Sequence, residues 1–509
     1  MSRARAFLLG LLPRDHSGPV VARLFHCLLG LIFLDAWLSL AVQVHVLIGA
    51  RGLLPIASFL TRARFQLSFA DFPTLFWLGV NDTTLTVGVC VGVALSFAAI
   101  FGRWPRAVAA VQVVLYLSFT TAARTFFSFQ WDNLLLECAF FAIFLPRDRR
   151  APLMHTLFRL ILLKLYWESG IAKWQSHLHD WQDGSAMTYY YETAPLPTAL
   201  AWYLHHAPAW WHHLESWATL AFELGVPFGI FVGFRRVRLG CFAILTSFQI
   251  INAATANYGF FCYLAAALHV FLLDDADLTR IADWVRARLR RPPSLSPSQS
   301  QSPPRPAPPI RRCQRVTAIV LLAGFVTLSA IDALVSFVDA PALFAALLPI
   351  RNLYAPFRLV NTYHLFGQIT RTRIEPEFQT TDDGVTWTAH ELRHKPGDPR
   401  RRPDWVAPHQ PRVDFQLWFY GLSYRSGAPE YVTALLERLC RDPGAVQSLF
   451  SAPLSPRPKA ARIVYWEYHF TSAAERRATG AWWKRDPIDV TDAVACDTHF
   501  PDADPVDDE

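Results

Sequence analysis

Long apolar runs broken by short, arginine-bearing connections fill the first 273 residues, and alternation with a period of two appears only after Val338. Crossing the roughly 30 Å hydrocarbon layer takes about 20 helical residues. Nine stretches approach that length: 20–49, 84–101, 107–122, 126–146, 152–173, 214–234, 238–256, 257–273 and 316–338. The first is too long, and too interrupted by Arg23 and Asp35, for a cleaved signal peptide, so it predicts a retained span. Further on, Asp383-Gly384 separates two alternating runs in Arg373–Leu392, which predicts a hairpin because both residues tolerate positive φ. Ile463–Thr471 alternates as a half-buried strand, and Glu430–Cys440 places its apolar residues at helical spacing. The expected fold is a multi-pass α-helical membrane protein of about nine helices with a C-terminal soluble α+β domain. Its parts are a polytopic membrane domain (1–275), a cytoplasmic Pro/Ser-rich linker (276–315), a last transmembrane helix (316–338) and the soluble domain (340–509).

Composition agrees. Hydrophobic residues make up 52% and charged residues 17%, against about 25% charged in a typical soluble domain. Only 13 of the 41 acidic residues precede Asp274. A disordered chain, a coiled coil and an ordinary soluble enzyme are excluded together. The net charge of +7 lies between apolar segments, where basic residues set membrane orientation, so no nucleic-acid partner is expected. With the N-terminus cytoplasmic, 20 Lys and Arg fall in loops on that side and five on the other. This count predicts an inside N-terminus, and an odd number of spans then puts the C-terminal domain outside. The stretch Arg291–Ile310 is too poor in apolar residues to fold and reads as disordered. Eight cysteines form no CxxC pair; those in apolar stretches read as small core residues, and Cys440 and Cys496 are free to pair.

Charges inside spans are costly and point to function or to a structural network. The fifth stretch carries Arg159, Lys164, Glu168 and Lys173, and the fourth carries Asp132 and Glu137. Lys164 and Glu168 are four apart and share a helix face, while Asp132 and Glu137 are candidate partners for Arg159. The favoured reading is a buried network that fixes helix register. Lys173 is either a cation held by Trp174 or Trp181 or a desolvated base, with Lys164 and Glu168 beside it. His177, His179, His205, His206, His212 and His213 lack acidic or Cys partners at regular spacing, so neither a metal nor a cofactor is expected. In the soluble part, Ala407–Phe419 is the densest stretch: His409, Gln410, Arg412, Asp414, Trp418 and Phe419 read as a client-binding or structural motif built on a buried Arg412–Asp414 pair.

The segments FSFQWDNLLLE (Phe127–Glu137), TYYYETAPLPTALAWY (Thr188–Tyr203), NYGFF (Asn257–Phe261), NTYHLF (Asn361–Phe366), DDGVTW (Asp382–Trp387), KPGD (Lys395–Asp398) and APHQPRVDFQLWF (Ala407–Phe419) appear in this order. Together they resemble the lipase maturation factor family over most of the chain. The resemblance implies a multi-pass endoplasmic reticulum membrane protein, or an inner-membrane protein in a bacterium, with its C-terminal domain lumenal or periplasmic. It implies a non-enzymatic, chaperone-like role in maturation, with a secreted lipase or other exported protein as client and the lipid bilayer as surroundings. A second likeness covers the membrane part alone: Gly170-Ile171-Ala172-Lys173, Trp181 and Gly184 are similar to a motif of the vitamin K-dependent carboxylase-like membrane domain. That likeness implies Lys173 as a base in an integral-membrane enzyme, the first alternative. A transporter or channel lined by Asp132, Glu137, Arg159 and Lys164 is the second.

Overall fold

The computed structural model describes residues 18–289 and 311–497. The described residues open with α1 (Pro19–Ala41), whose first free amides, Val20 N–H and Val21 N–H, donate to the carboxylate of Asp275, each at 3.1 Å. An Asn81/Thr84 capping box starts α2 (Asp82–Ile100), which runs back along α1. The two pack so closely that a Cβ on Gly92 would come within 2.3 Å of the Trp37 ring, so only glycine fits there. Then follow α3 (Pro105–Ala122), α4 (Gln130–Ala142) and α5 (Pro152–Trp174). A long excursion holding α6 (Ala186–Thr193) leads to α7 (Ala209–Leu224), α8 (Arg235–Thr255) and α9 (Phe261–Leu268). The helical part closes with α10 (Asp275–Leu289), α11 (Arg312–Phe337) and α12 (Pro341–Tyr354).

Among the described residues, four helices are long and apolar enough to cross a membrane: α1, α2, α8 and α11. Of the expected nine or so, length and composition alone thus single out four. The physical reasons are local. The 126–146 stretch breaks into a 3₁₀ turn before α4, leaving a helix of 13 residues; α7 has 16; α9 has 8; and α5 carries four charges. The expected linker also differs at its start. Residues 275–289 form α10, with Asp275 and Asp277 in its first turn and Arg286 and Arg288 in its last, the arrangement that suits the helix dipole. The proline-rich stretch Arg291–Ile310 lies outside the described residues, as do residues 498–509 of the expected soluble domain.

After the helices comes an antiparallel sheet of β1 (Arg373–Thr381), β2 (Thr388–His390), β3 (Ala460–Phe470), β4 (Trp483–Val490) and β5 (Val494–Ala495). The strand order is β2-β1-β3-β4, with β5 on the start of β3, and the register pairs Phe378 with Ile463. The Asp383-Gly384 hairpin forms as expected: Gly384 has φ 85°, and Asp383 accepts from the Val385 and Thr386 amides at 2.8 and 2.7 Å. Helices α13 (Arg412–Leu422) and α14 (Glu430–Arg441) cover the sheet, burying Phe415, Leu417, Val432 and Leu435. A disulfide joins Cys440 at the end of α14 to Cys496 beyond β5. This sheet domain sits on one end of the helical bundle, against the C-terminal end of α1, the α3–α4 turn, the excursion after α5 and the α8–α9 turn.

Candidate functional site

The junction of sheet domain and bundle is built by the stretch that opens α13. Arg412 leaves the sheet domain and enters the space between α3 and α4, where its two terminal nitrogens reach the two oxygens of Asp132 at 2.8 and 2.9 Å. The Tyr116 hydroxyl donates to the same carboxylate at 2.5 Å, the Phe126 carbonyl accepts from Arg412 at 2.8 Å, and the Phe127 ring lies 3.3 Å from the guanidinium carbon. Asp132 is 0% and Arg412 1% exposed. Such a forked, desolvated pair is among the stronger contacts a protein makes, and breaking it is costly.

The expected Arg412–Asp414 pair therefore does not form. Two residues apart on a helix, the side chains diverge; Asp414 instead accepts from the His394 amide at 3.2 Å. His409 Nδ1 lies 2.9 Å from the Ser39 hydroxyl, and Gln43 donates to the Gln410 carbonyl at 2.8 Å while accepting from the Arg412 amide at 3.0 Å. Trp418 donates to the Thr193 carbonyl at 2.8 Å, and Phe419 remains 44% exposed. His409, Arg412 and Asp414 are thus committed to three different neighbours and form no catalytic cluster.

Beneath this lies a second buried hub. Glu137 accepts from Lys164 at 2.9 Å, from the Tyr363 hydroxyl at 2.5 Å and from Asn361 at 3.1 Å. The expected helical pair of Lys164 with Glu168 gives way to this one, because the NTYHLF segment returns into the bundle. There the Tyr363 amide donates to Glu168 at 2.8 Å. Arg159, expected beside Asp132 or Glu137, donates to the Phe271 carbonyl at 2.9 Å.

The third group surrounds Lys173. Its ammonium lies 2.8 Å from Glu223 and donates to the Leu365 carbonyl at 2.7 Å, with the Trp181 ring 5.3 Å away. A cavity of about 130 Å³ adjoins it, lined by Tyr166, Trp181, Tyr190, Gln249 and Tyr258 among others; Asp132, Glu137, Arg159 and Lys164 are not on its wall. The Trp181 indole N–H and the Gln249 carbonyl oxygen are buried there without a hydrogen-bond partner. Sequence reasoning passed over Glu223, although an acidic residue within the expected 214–234 span is the same kind of signal that singled out Asp132 and Glu137. Among the described residues, no group of three His, Cys, Asp or Glu side chains is arranged to hold a metal ion.

The excursion after α5 is tied down as well. Glu192 accepts from the Phe470 amide at 2.6 Å, and Arg373 donates to the Pro195 carbonyl at 3.0 Å. Arg476 lies between Trp202 and Trp482, with centroid distances of 4.4 and 3.5 Å. Asn257 accepts from the Val406 and Ala407 amides at 2.7 and 2.9 Å. The segments that carry the family resemblance are largely those that bind the two parts to each other.

The family model described as the lipase maturation factor transmembrane domain matches residues 20–280, and the one described as the lipase maturation factor C-terminal domain matches residues 359–492. The chain belongs to the lipase maturation factor family. Its relatives include lipase maturation factor 1 of Bos taurus, 29% identical over 492 residues and covering 90% of this chain and 85% of that protein. Lipase maturation factor 1 of Homo sapiens is 29% identical with the same two coverages, 90% and 85%. Lipase maturation factor 2 of Gallus gallus is 28% identical, covering 91% of this chain and 80% of that protein. No solved structure matches. In this chain the two matched regions interlock: Asp132, Glu137 and Lys173 of the first bind Arg412, Tyr363 and Leu365 of the second.

One consequence of the junction is a pH dependence. Burial, with His394 and Arg412 nearby, lowers the His409 pKa from 6.5 to about 4. Between these values the unfolded chain takes up a proton that the folded one refuses, so stability falls as pH drops from 6.5 towards 4. The expected loss is on the order of 2–3 kcal/mol, with His409 itself partly solvated. Thermal unfolding in neutral detergent across this range should show the decline, and His409→Gln should flatten it; an equal slope in the variant would assign the effect elsewhere.

Proposed function

We propose that the chain assists the folding, assembly or maturation of secreted lipases or other exported proteins, as a non-enzymatic factor whose sheet domain stands on the lumenal or periplasmic face. The observation that carries this reading is the match of both family domains, in order, on a chain whose two parts interlock. Three features support the placement. The sheet domain docks on the bundle end opposite Arg106, Arg147, Arg235 and Arg238, which suits an inside position for those arginines. The Cys440–Cys496 disulfide suits an oxidising compartment. Only four residues connect α2 to α3, enough to reverse direction, so the shorter helices are proposed to traverse the bilayer alongside the four long ones.

Folding intermediates expose apolar surface and aggregate unless it is covered. Phe419 and Leu422, 44% and 42% exposed and three residues apart on α13, offer a complementary edge beside the junction. The direct test is a deletion strain of the source organism. Specific activity per mass of secreted lipase is expected to fall on deletion and to return with the wild-type gene. Unchanged lipase activity would reject the reading. A second reading, an integral-membrane enzyme with Lys173 as its base, is favoured by one observation, the cavity that Lys173 and Glu223 adjoin.

A further inference from the structure

On the bundle end away from the sheet domain, a crevice of about 750 Å³ opens between the starts of α1, α3 and α11 and the α4–α5 connection. Among the described residues, Arg23, Arg106, Arg147, Arg149 and Arg311 line it with a single carboxylate, Asp148, which Arg149 engages at 2.5 Å. Five guanidinium groups from four separate segments thus face one acid. Loop arginines that only orient a membrane protein would spread apart in water; these converge.

Arg147 is seated rather than loose. It donates to the Gly102 carbonyl at 2.9 Å, and its Nε is buried without a hydrogen-bond partner. Gly102, at φ 68°, permits this seat, since a Cβ there would come within 2.5 Å of the guanidinium. Depth is fixed by the spans. Arg23 lies in the second turn of α1 and Arg311 just precedes α11, so the crevice sits where two membrane-length helices begin. Trp104, 70% exposed, lines it too, and exposed tryptophan at that level is typical of the headgroup layer.

We propose that this crevice binds the phosphate of an anionic membrane lipid. Guanidinium groups match phosphate oxygens in forked pairs, and basic pockets between the ends of membrane helices suit anionic headgroups. The crevice also supplies Ala107, Leu145 and Pro146 to meet the lipid's first apolar atoms. A free phosphate offers nothing to these residues.

The test uses the full-length protein in neutral detergent, with phosphatidylglycerol, phosphatidylcholine and inorganic phosphate as probes and native mass spectrometry as the readout. Saturable phosphatidylglycerol binding, at least tenfold tighter than phosphatidylcholine, is expected. Arg106→Gln/Arg147→Gln should weaken it about tenfold or more, and Arg149→Gln provides a milder variant if the double one fails to fold. Arg236→Gln, an exposed arginine outside the crevice, should leave binding unchanged. Equal loss with Arg236→Gln would mean diffuse attraction and overturn the site. Displacement by inorganic phosphate at the same concentration as the lipid would overturn the lipid assignment, and absence of any anionic preference would overturn both.

Discussion

Replacing Arg412 with methionine is expected to cost about 3–5 kcal/mol and to loosen the sheet domain from the bundle, because Asp132 is then left buried without its cation. Asp132 is 0% exposed and its remaining donor is the Tyr116 hydroxyl. Denaturant unfolding followed by intrinsic fluorescence reads the stability, and limited proteolysis in the 339–372 stretch reads the loosening. Arg412→Lys should cost less, since it keeps the charge while losing the fork. The double variant Asp132→Leu/Arg412→Met should recover most of the loss, as replacing both charges with apolar side chains of similar volume is often neutral. Additive losses in the double variant would mean that the pair is not what couples the two parts. An Arg412→Met protein with wild-type stability and proteolysis would place the coupling in the other contacts, such as Asn257 and Trp418.

This coupling shows how far the sequence could be read. The α+β character of the last third was legible because its signals are local: a two-residue period in β3, and an Asp-Gly pair whose turn requires positive φ. That Asp132, Glu137, Lys164 and Lys173 need partners was legible too, since a charge in an apolar helix is costly unless paired. Their partners were not. Arg412 is 280 residues from Asp132, and Tyr363 is 226 from Glu137. Sequence spacing proposes only neighbours three or four apart, as it did for Lys164 and Glu168. A returning segment outcompeted the local pair by bringing in Tyr363 and Asn361 as extra donors. Partners from Glu137, Glu223, Phe271 and the returning segment are what let α5 carry the four charges that keep it short of an apolar span.

The same logic makes Lys173 decisive between the two functional readings. Lys173→Met should cost about 3–5 kcal/mol, because Glu223, 4% exposed, loses the cation it faces at 2.8 Å. Loss of lipase maturation in that single variant distinguishes nothing, since instability and missing chemistry look alike. The double variant Lys173→Met/Glu223→Met separates them. Its apolar pair fills the same space, so stability in thermal unfolding is expected to return to within about 1–2 kcal/mol of wild type. If Lys173 serves only to hold α5 against α7 and the Leu365 segment, lipase specific activity returns with it. A stable double variant that still fails to rescue a deletion strain would instead give Lys173 a chemical role, and the neighbouring cavity with its unpaired Trp181 and Gln249 atoms would be where the substrate sits. Recovery of activity is the expected result: two of the ammonium's donors are already committed to protein oxygens, which is how a lysine fixes helices in place.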